Sequence, residues 1–272
     1  TGSVSEQEFS DTDIGLFELF GSTITSAMLR MEREQALQET RAKLERSNED
    51  LEQFAYVASH DLQEPLRTVS SYLQLLERRY RDDFDEDGQE FIDFAVNGAE
   101  RMSEMIQALL EYSRVDTRGD PLSPTSMDEV YETAHQNLRV AIDQNNATVT
   151  ADRLPTVQGD EQQLVRLLQN LLDNAIKYAG DTEPRVHISA ERTDDKWAFA
   201  VEDNGIGMTA KDTERIFQVF ERLHGRESYS GTGIGLAMCR KIVDRHGGDI
   251  WVESERGEGA TFHFTLHATT DD

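Results

Sequence analysis

The chain has 272 residues, with 27 Lys and Arg against 53 Asp and Glu, giving a formal net charge of −26. Acid is spread along the whole length, which argues against nucleic acid as a partner, because phosphate binding needs a basic face. No run of about 18 apolar residues is present to span a bilayer, and the single cysteine, Cys239, excludes an internal disulfide framework.

Lysines are few and arginines many. With the acid excess, this is the composition of a protein kept soluble in high salt, where self-repulsion is screened; an ordinary acidic protein is the alternative. The first residue is Thr1 and no signal peptide opens the chain. The expectation is a cytoplasmic fragment of a longer protein.

Residues 1–27 are a mixed polar and apolar lead-in. Residues 28–58 lack Pro and Gly and are densely charged. Leu37, Leu44, Leu51 and Ala58 recur every seven residues, with Arg41 and Asn48 between them, which predicts a short coiled-coil seam whose register Asn48 can fix. From Leu62 the apolar positions Leu66, Val69, Leu73, Leu76 and Tyr80 step by fours and threes, the core stripe of a helix. "RDDFDEDGQE" interrupts the pattern. A second stripe then runs through Phe91, Ala95, Gly98, Met102, Met105, Leu109 and Tyr112. Two such helices joined by a polar turn make an antiparallel hairpin. One hairpin cannot hide both stripes, so a homodimer forming a four-helix bundle is expected.

"DTRGDPLSPTS" (residues 116–126) reads as a linker. Beyond it, Ser126 and Glu129 have capping-box spacing before a helix reaching about Asn145. "ATVTAD" and "LPTVQG" read as short strands, and Asp160 caps a helix through Tyr178. "RVHISAERTDDKWAFAVED" is a hairpin turning at Asp194 and Asp195. A helix from Gly233 to His246 stops at Gly247 and Gly248, and "DIWVESERGEGATFHFTLH" is a last hairpin. The fold class is therefore α+β: a helical hairpin followed by a two-layer α/β sandwich. Cys239 is expected as a small buried side chain.

His60 lies about 200° around its helix from Leu62, opposite the core stripe. Asp61 is adjacent, Glu64 shares its face, and Pro65 removes the partner of the Asp61 carbonyl, so the helix can bend there. A surface histidine is usually inert, and helix geometry alone gives His60 little weight.

The later segments raise it. "EDNGIGM" follows a strand, and Asp203 at the strand's end can accept from an exocyclic amine such as that of adenine. "SGTGIGLAM" leads into a helix, where glycines let backbone N–H groups approach phosphate. Neither has the spacing of a P-loop or a dinucleotide fingerprint; turn glycines are the bland alternative. "QNLLDNAIKY" sets Asn170 and Asn174 one turn apart, with Lys177 a turn beyond. Amide oxygens suit Mg²⁺, and Lys177 can neutralise phosphate charge. A solvated helix face is the alternative.

The succession "SHDLQEPLR", "NLLDNAIKY", "DNGIGM", "IFQVFERLHG" and "GTGIGLAMCRKIVDRHGGDIWVES" closely resembles the sensor histidine kinases of two-component signalling, in the branch with a phytochrome-like histidine box, over residues 51–266. With the acidic composition, the likeness is to haloarchaeal members. The resemblance implies four segments: 1–27, the tail of an upstream sensory domain, a GAF domain being one candidate; 28–58, a coiled-coil signalling helix; 51–118, a dimerisation and phosphotransfer domain; and 122–269, an ATP-binding domain of the Hsp90, gyrase and MutL type.

By motif position, His60 resembles the phosphorylated histidine and Asp61 the acid that orients it and accepts its proton. Asn174 matches the Mg²⁺-binding asparagine, with Asn170, Lys177 and Tyr178 on the nucleotide. Asp203 matches the adenine-reading aspartate, with Gly205 and Gly207 shaping its loop. Phe217 and Phe220 fit the pair anchoring a lid over ATP, and Arg222 a basic residue near the γ-phosphate. Gly231, Thr232, Gly233, Gly235 and Leu236 match the loop that closes over the phosphates.

The implied activity is ATP-dependent phosphorylation of His60 and transfer to an aspartate of a response regulator. ATP and Mg²⁺ are the implied cofactors. A second copy, a receiver domain and an upstream sensory domain are the implied partners. Two other readings stay open on the residues: a clamp-type ATPase sharing the nucleotide fold, and a dimeric scaffold with a degenerate ATP site.

Overall fold

The computed structural model describes residues 11–117, 119–223 and 231–269, without the side chains of residues 11–27, 41, 44–45, 47–56, 58, 60 and 82. The chain divides into two units, Thr1–Phe54 and Ala55–Asp272. The first consists, where described, of the start of helix α1 (Asp11–Tyr80). Met28, Leu29, Met31 and Leu37 on it are all more than half exposed. Of the expected seam, Leu37 is exposed, while the side chains of Leu44, Leu51 and Ala58 lie outside the described residues.

In the second unit α1 continues through Pro65 without interruption. Arg81 closes the turn after it, binding Glu77 at 2.8 Å and Asp93 at 2.8 Å. Helix α2 (Glu86–Arg114) starts where the Asp85 carboxylate accepts from the Gly88 amide at 2.9 Å. The expected hairpin forms. Its apolar stripe stays open to solvent within one chain: Leu62, Val69, Leu76, Phe91 and Met102 are 42–71% exposed, and among the described residues of the two helices Leu66, Ala99 and Leu110 are the buried apolar side chains.

The linker ends sooner than expected. Ser123–Ser126 forms strand β1, paired antiparallel with β3 (Thr156–Gly159). The helix expected to reach Asn145 is broken at Leu138 into α3 (Met127–Asn137) and α4 (Arg139–Gln144). The elements β2 (Thr148–Ala151), α5 (Glu161–Lys177), β4 (Arg185–Thr193), β5 (Lys196–Asp203), α7 (Gly235–Arg245), β6 (Ile250–Glu255) and β7 (Gly259–His267) follow the sequence, and a short α6 (Ala210–Thr213) is one that the sequence did not announce.

Strands order as β2-β4-β5-β7-β6, antiparallel except for the parallel β2–β4 edge pair. Alternation along β5 and β7 turns Phe199, Val201, Phe262, Phe264 and Leu266 to the inner face, where paired Phe199 and Phe264 stack at 4.8 Å. Against that face α5 lays Leu164, Leu167, Leu168, Leu171 and Leu172, all with 0% exposure. The α7 face adds Met238, Ile242 and the fully buried Cys239, whose thiol pKa burial pushes well above its ordinary value. Helices on one face of a sheet give the expected two-layer sandwich.

Candidate functional site

Committing one face of α5 to the core points its polar residues the other way. Asn170, Asn174, Lys177 and Tyr178 all line a single cavity. Asn170 donates from Nδ2 to the Arg166 carbonyl at 3.0 Å, and its Oδ1 lies 3.0 Å from where a Cβ would stand on Gly235. Glycine there lets the start of α7 approach the Asn170 amide.

Asp203 closes the opposite wall. Its Oδ1 accepts from the Gly205 amide at 2.8 Å and the Ala260 amide at 3.2 Å. Burial raises its pKa, and the two N–H donors oppose that shift. Among the described residues, Oδ2 has no partner and is available to a donor in the cavity. The loop after it needs glycine at 207: φ is +61° and a Cβ would come within 2.0 Å of the Glu255 carbonyl oxygen.

Lys177 stands at the third side. Burial lowers its pKa most; Asp173 raises it, Arg222 lowers it, and Glu104 raises it. A desolvated ammonium of this kind is stabilised by an incoming anion. Gly231, Thr232, Gly233, Gly235 and Leu236 line the cavity at the N-terminus of α7, and Arg222 lines it as well. Backbone donors, a helix N-terminus and two cations converge where polyphosphate charge can be neutralised.

Twelve of the expected nucleotide residues thus share one cavity, and three do not line it. Gly205 sits behind Asp203 and acts through its amide. Phe217 is buried in the core, edge-on to Phe262 at 6.5 Å. Phe220 is 51% exposed with φ +67°, its N–H bonded to the Gly233 carbonyl at 2.9 Å. Residues 224–230 and the His60 side chain lie outside the described residues; Asp61 is exposed.

The sequence reading missed the walls Ile206, Met208, Ile216, Leu223, Ala260 and Phe262, and the polar Asp173 and Glu221. Apolar walls of a flat ring pocket are the same residue types as core. The one available signal was "NGIGM", which places Ile206 and Met208 on the loop beside Asp203.

Residues 159–270 match the family of histidine kinase-, DNA gyrase B- and HSP90-like ATPases, and residues 50–118 match the His Kinase A (phospho-acceptor) domain. The chain is 52% identical over 82% of its length to cyanobacterial phytochrome A of Nostoc sp., of which it covers 29%. It is 31% identical over 96% of its length to the adaptive-response sensory kinase SasA of Synechococcus elongatus, covering 70% of that protein. Among solved structures, histidine kinase ThkA in complex with the response regulator protein TrrA shares the fold, with a TM-score of 0.54 at 23% identity, over 79% of this chain and 62% of that one. Both named relatives are cyanobacterial, so the expected likeness to haloarchaeal chains is not found in them. A phospho-acceptor hairpin followed by an ATPase sandwich, and a sensory kinase matched along 70% of its length, assign the family: the chain belongs to the sensor histidine kinases.

Proposed function

We propose that the chain is the kinase core of a longer protein, one that binds ATP with Mg²⁺, phosphorylates its own His60 and passes the phosphoryl group to an aspartate of a response regulator. The observation that carries this is the cavity itself: a carboxylate held by two backbone amides, two side-chain amides, a lysine and a glycine-rich helix start meet in one place, on a chain whose other domain is of the phospho-acceptor family. ThkA, with the same fold, is known in complex with a response regulator, which supports the receiver as partner.

Asp203 reads the adenine amine, and Lys177 and Arg222 face the phosphates. The donor set fits Mg²⁺: Asn174 is half-buried on the cavity wall, and Asn170, held by its bond to the Arg166 carbonyl, offers a second hard oxygen. Bound there, Mg²⁺ supplies charge neutralisation on the phosphates. His60 acts as a neutral imidazole. One ring nitrogen forms the N–P bond as the bond from the γ-phosphorus to the β-bridging oxygen breaks and ADP leaves; Asp61 accepts the ring proton. Phe217 and Phe220 fit a pair that anchors a lid over ATP, and Gly205 holds Asp203 through its amide.

We take residues 28–58 as a coiled-coil signalling helix, 51–118 as the dimerisation and phosphotransfer domain, 122–269 as the ATP-binding domain, and 1–27 as the tail of an upstream sensory domain. The β1–β3 pairing supports a start near 122, and the exposed hairpin stripe supports a second copy as partner. The chain spans about 29% of the phytochrome it matches, consistent with a sensory region upstream. The acidic composition supports activity at high salt. Among the described residues no helix is long and apolar enough to cross a membrane.

Incubation with γ-labelled ATP and Mg²⁺ tests the reading. Acid-labile, base-stable label should appear on wild type and be absent from His60→Gln, with nucleotide affinity nearly unchanged. Label that persists in the variant would remove His60 from the role, and ATP turnover without label would favour a clamp-type ATPase.

A further inference from the structure

The turn between β6 and β7 closes against the back of the loop that follows Asp203, and one side chain fastens the two together. Ser254 accepts the Met208 N–H at 2.9 Å through Oγ and donates its own proton to the Gly259 carbonyl at 2.6 Å. Beside it the Gly257 N–H binds the Ile206 carbonyl at 2.8 Å, and the Ile206 N–H binds the Tyr178 carbonyl, at the end of α5, at 2.9 Å. The two segments meet backbone to backbone. A Cβ on Gly207 would come within 2.0 Å of the Glu255 carbonyl oxygen, and one on Gly259 within 2.0 Å of the Asp203 carbonyl oxygen.

Ile206 and Met208 line the cavity, and Ser254 does not. The bonds at Ile206 join backbone groups and do not depend on side-chain identity. The bond at Met208 exists only where residue 254 carries a hydroxyl. A hydroxyl has one proton to donate and lone pairs that accept. Here the proton goes to Gly259 and a lone pair takes the Met208 N–H, so a single group bridges β7 to the loop. Removing it leaves the Met208 N–H and the buried Gly259 carbonyl each short of a partner.

We propose that Ser254 is a positioning residue for nucleotide binding: without touching the nucleotide, its hydroxyl holds the wall formed by Ile206 and Met208 in the shape that receives the base. The inference deepens the proposed kinase reading and rests on it. Without the Ser254 bond the loop is held for only part of the time, and apparent affinity falls in proportion to the held fraction. The base is bound alike in the ground state and the transition state. The loss therefore appears in KM for ATP and leaves kcat alone.

Calorimetry with MgATP and labelling of His60 at graded ATP test it on the same samples. Ser254→Ala should raise Kd for MgATP and KM for labelling about tenfold, with kcat unchanged. Ser254→Thr keeps the hydroxyl and should restore both. Amide hydrogen exchange at Met208 should quicken in Ser254→Ala and not in Ser254→Thr. Thr125→Ala is the control for plain loss of stability: Thr125 is 7% exposed and its hydroxyl donates to the Gly159 carbonyl at 3.0 Å, away from the cavity. It should lower the urea midpoint and leave ATP affinity as it is. Affinity that Ser254→Ala leaves unchanged, a fall that Ser254→Thr shares, or an equal fall in Thr125→Ala overturns the role of Ser254. A wild type that binds no MgATP would overturn the kinase reading and this inference with it. Binding without label on His60 would overturn the kinase reading alone, because calorimetry still reads the effect of Ser254.

Discussion

At the scale of single residues, Asp203 and His246 carry the clearest predictions. In Asp203→Asn the amide oxygen can keep the Gly205 and Ala260 N–H bonds, which leaves the amide nitrogen, a donor, facing the cavity. The fold should survive while ATP affinity falls about tenfold to a hundredfold, since a buried acceptor is replaced by an opposing donor. Titration calorimetry with unchanged affinity would remove Asp203 from adenine recognition. His246 is 1% exposed: Nδ1 donates to the Ile242 carbonyl at 2.7 Å, and Nε2 accepts the Asp160 N–H at 2.9 Å. Both ring nitrogens are thus committed to the neutral form. Burial lowers its pKa most, Arg245 lowers it further, and the Ile242 carbonyl and Asp160 oppose the shift. A histidine with a depressed folded pKa contributes stability that is complete above its unfolded value of about 6.5 and is lost as pH falls from there towards the folded pKa. Urea midpoints should therefore drop as pH falls below about 6.5 in wild type, and less steeply in His246→Gln. Equal slopes would show that His246 is not the titrating group. Neither of its two bonds was legible in the sequence, where His246 was only the last residue before Gly247: both partners are backbone groups, and the Asp160 N–H comes from 86 positions away.

At the scale of elements, local patterns survived wherever the signal was chemical and short-ranged. The Asp160 cap on α5, the turn at Asp194 with φ +50°, and the stop after His246 with Gly247 at φ +69° all stand where residue type demanded them. What failed was set from elsewhere in the fold. Ser123–Ser126 has loop composition and becomes a strand because β3 offers it a partner. The break at Leu138, with ψ near 3°, carries no Pro or Gly to announce it. Asp160 links both kinds of information: read as a cap, it is also 3% exposed and accepts from Arg245 at 2.9 Å, while Arg245 holds the Asp120 carbonyl at 2.8 Å. Asp160→Ala removes the cap and leaves a nearly buried guanidinium short of a partner, so it should cost about 3 kcal/mol. Asp128→Asn, at an acidic position starting α3 whose bond to the Leu154 amide can be kept by the new amide oxygen, is the mild comparison. Comparable losses in denaturant unfolding would mean that Asp160 acts only as an ordinary cap.

At the scale of the whole molecule, an apolar requirement meets an electrostatic one. The hairpin leaves Leu62, Val69, Leu76, Phe91 and Met102 at 42–71% exposure, a stripe that favours a second copy. Each copy brings a formal charge of −26. The Debye length is about 30 Å at 0.01 M salt, about 10 Å at 0.1 M and about 3 Å at 1 M. In dilute buffer the two acidic chains repel across the full width of a hairpin pair; at molar salt only charges in near contact interact, while burial of the stripe is undiminished. Dimer fraction should therefore rise from dilute to molar KCl, and labelling of His60 should rise with it, because the bundle that presents His60 is completed by association. Leu76→Glu puts a charge in the stripe and should hold the chain monomeric at every salt concentration, with ATP affinity unchanged because the cavity is built from α5, α7 and the sheet. Sedimentation and labelling measured on the same samples decide it. A dimer already complete at 0.01 M salt would show that the apolar stripe outweighs the charge, and the acid excess would then bear on solubility rather than on assembly.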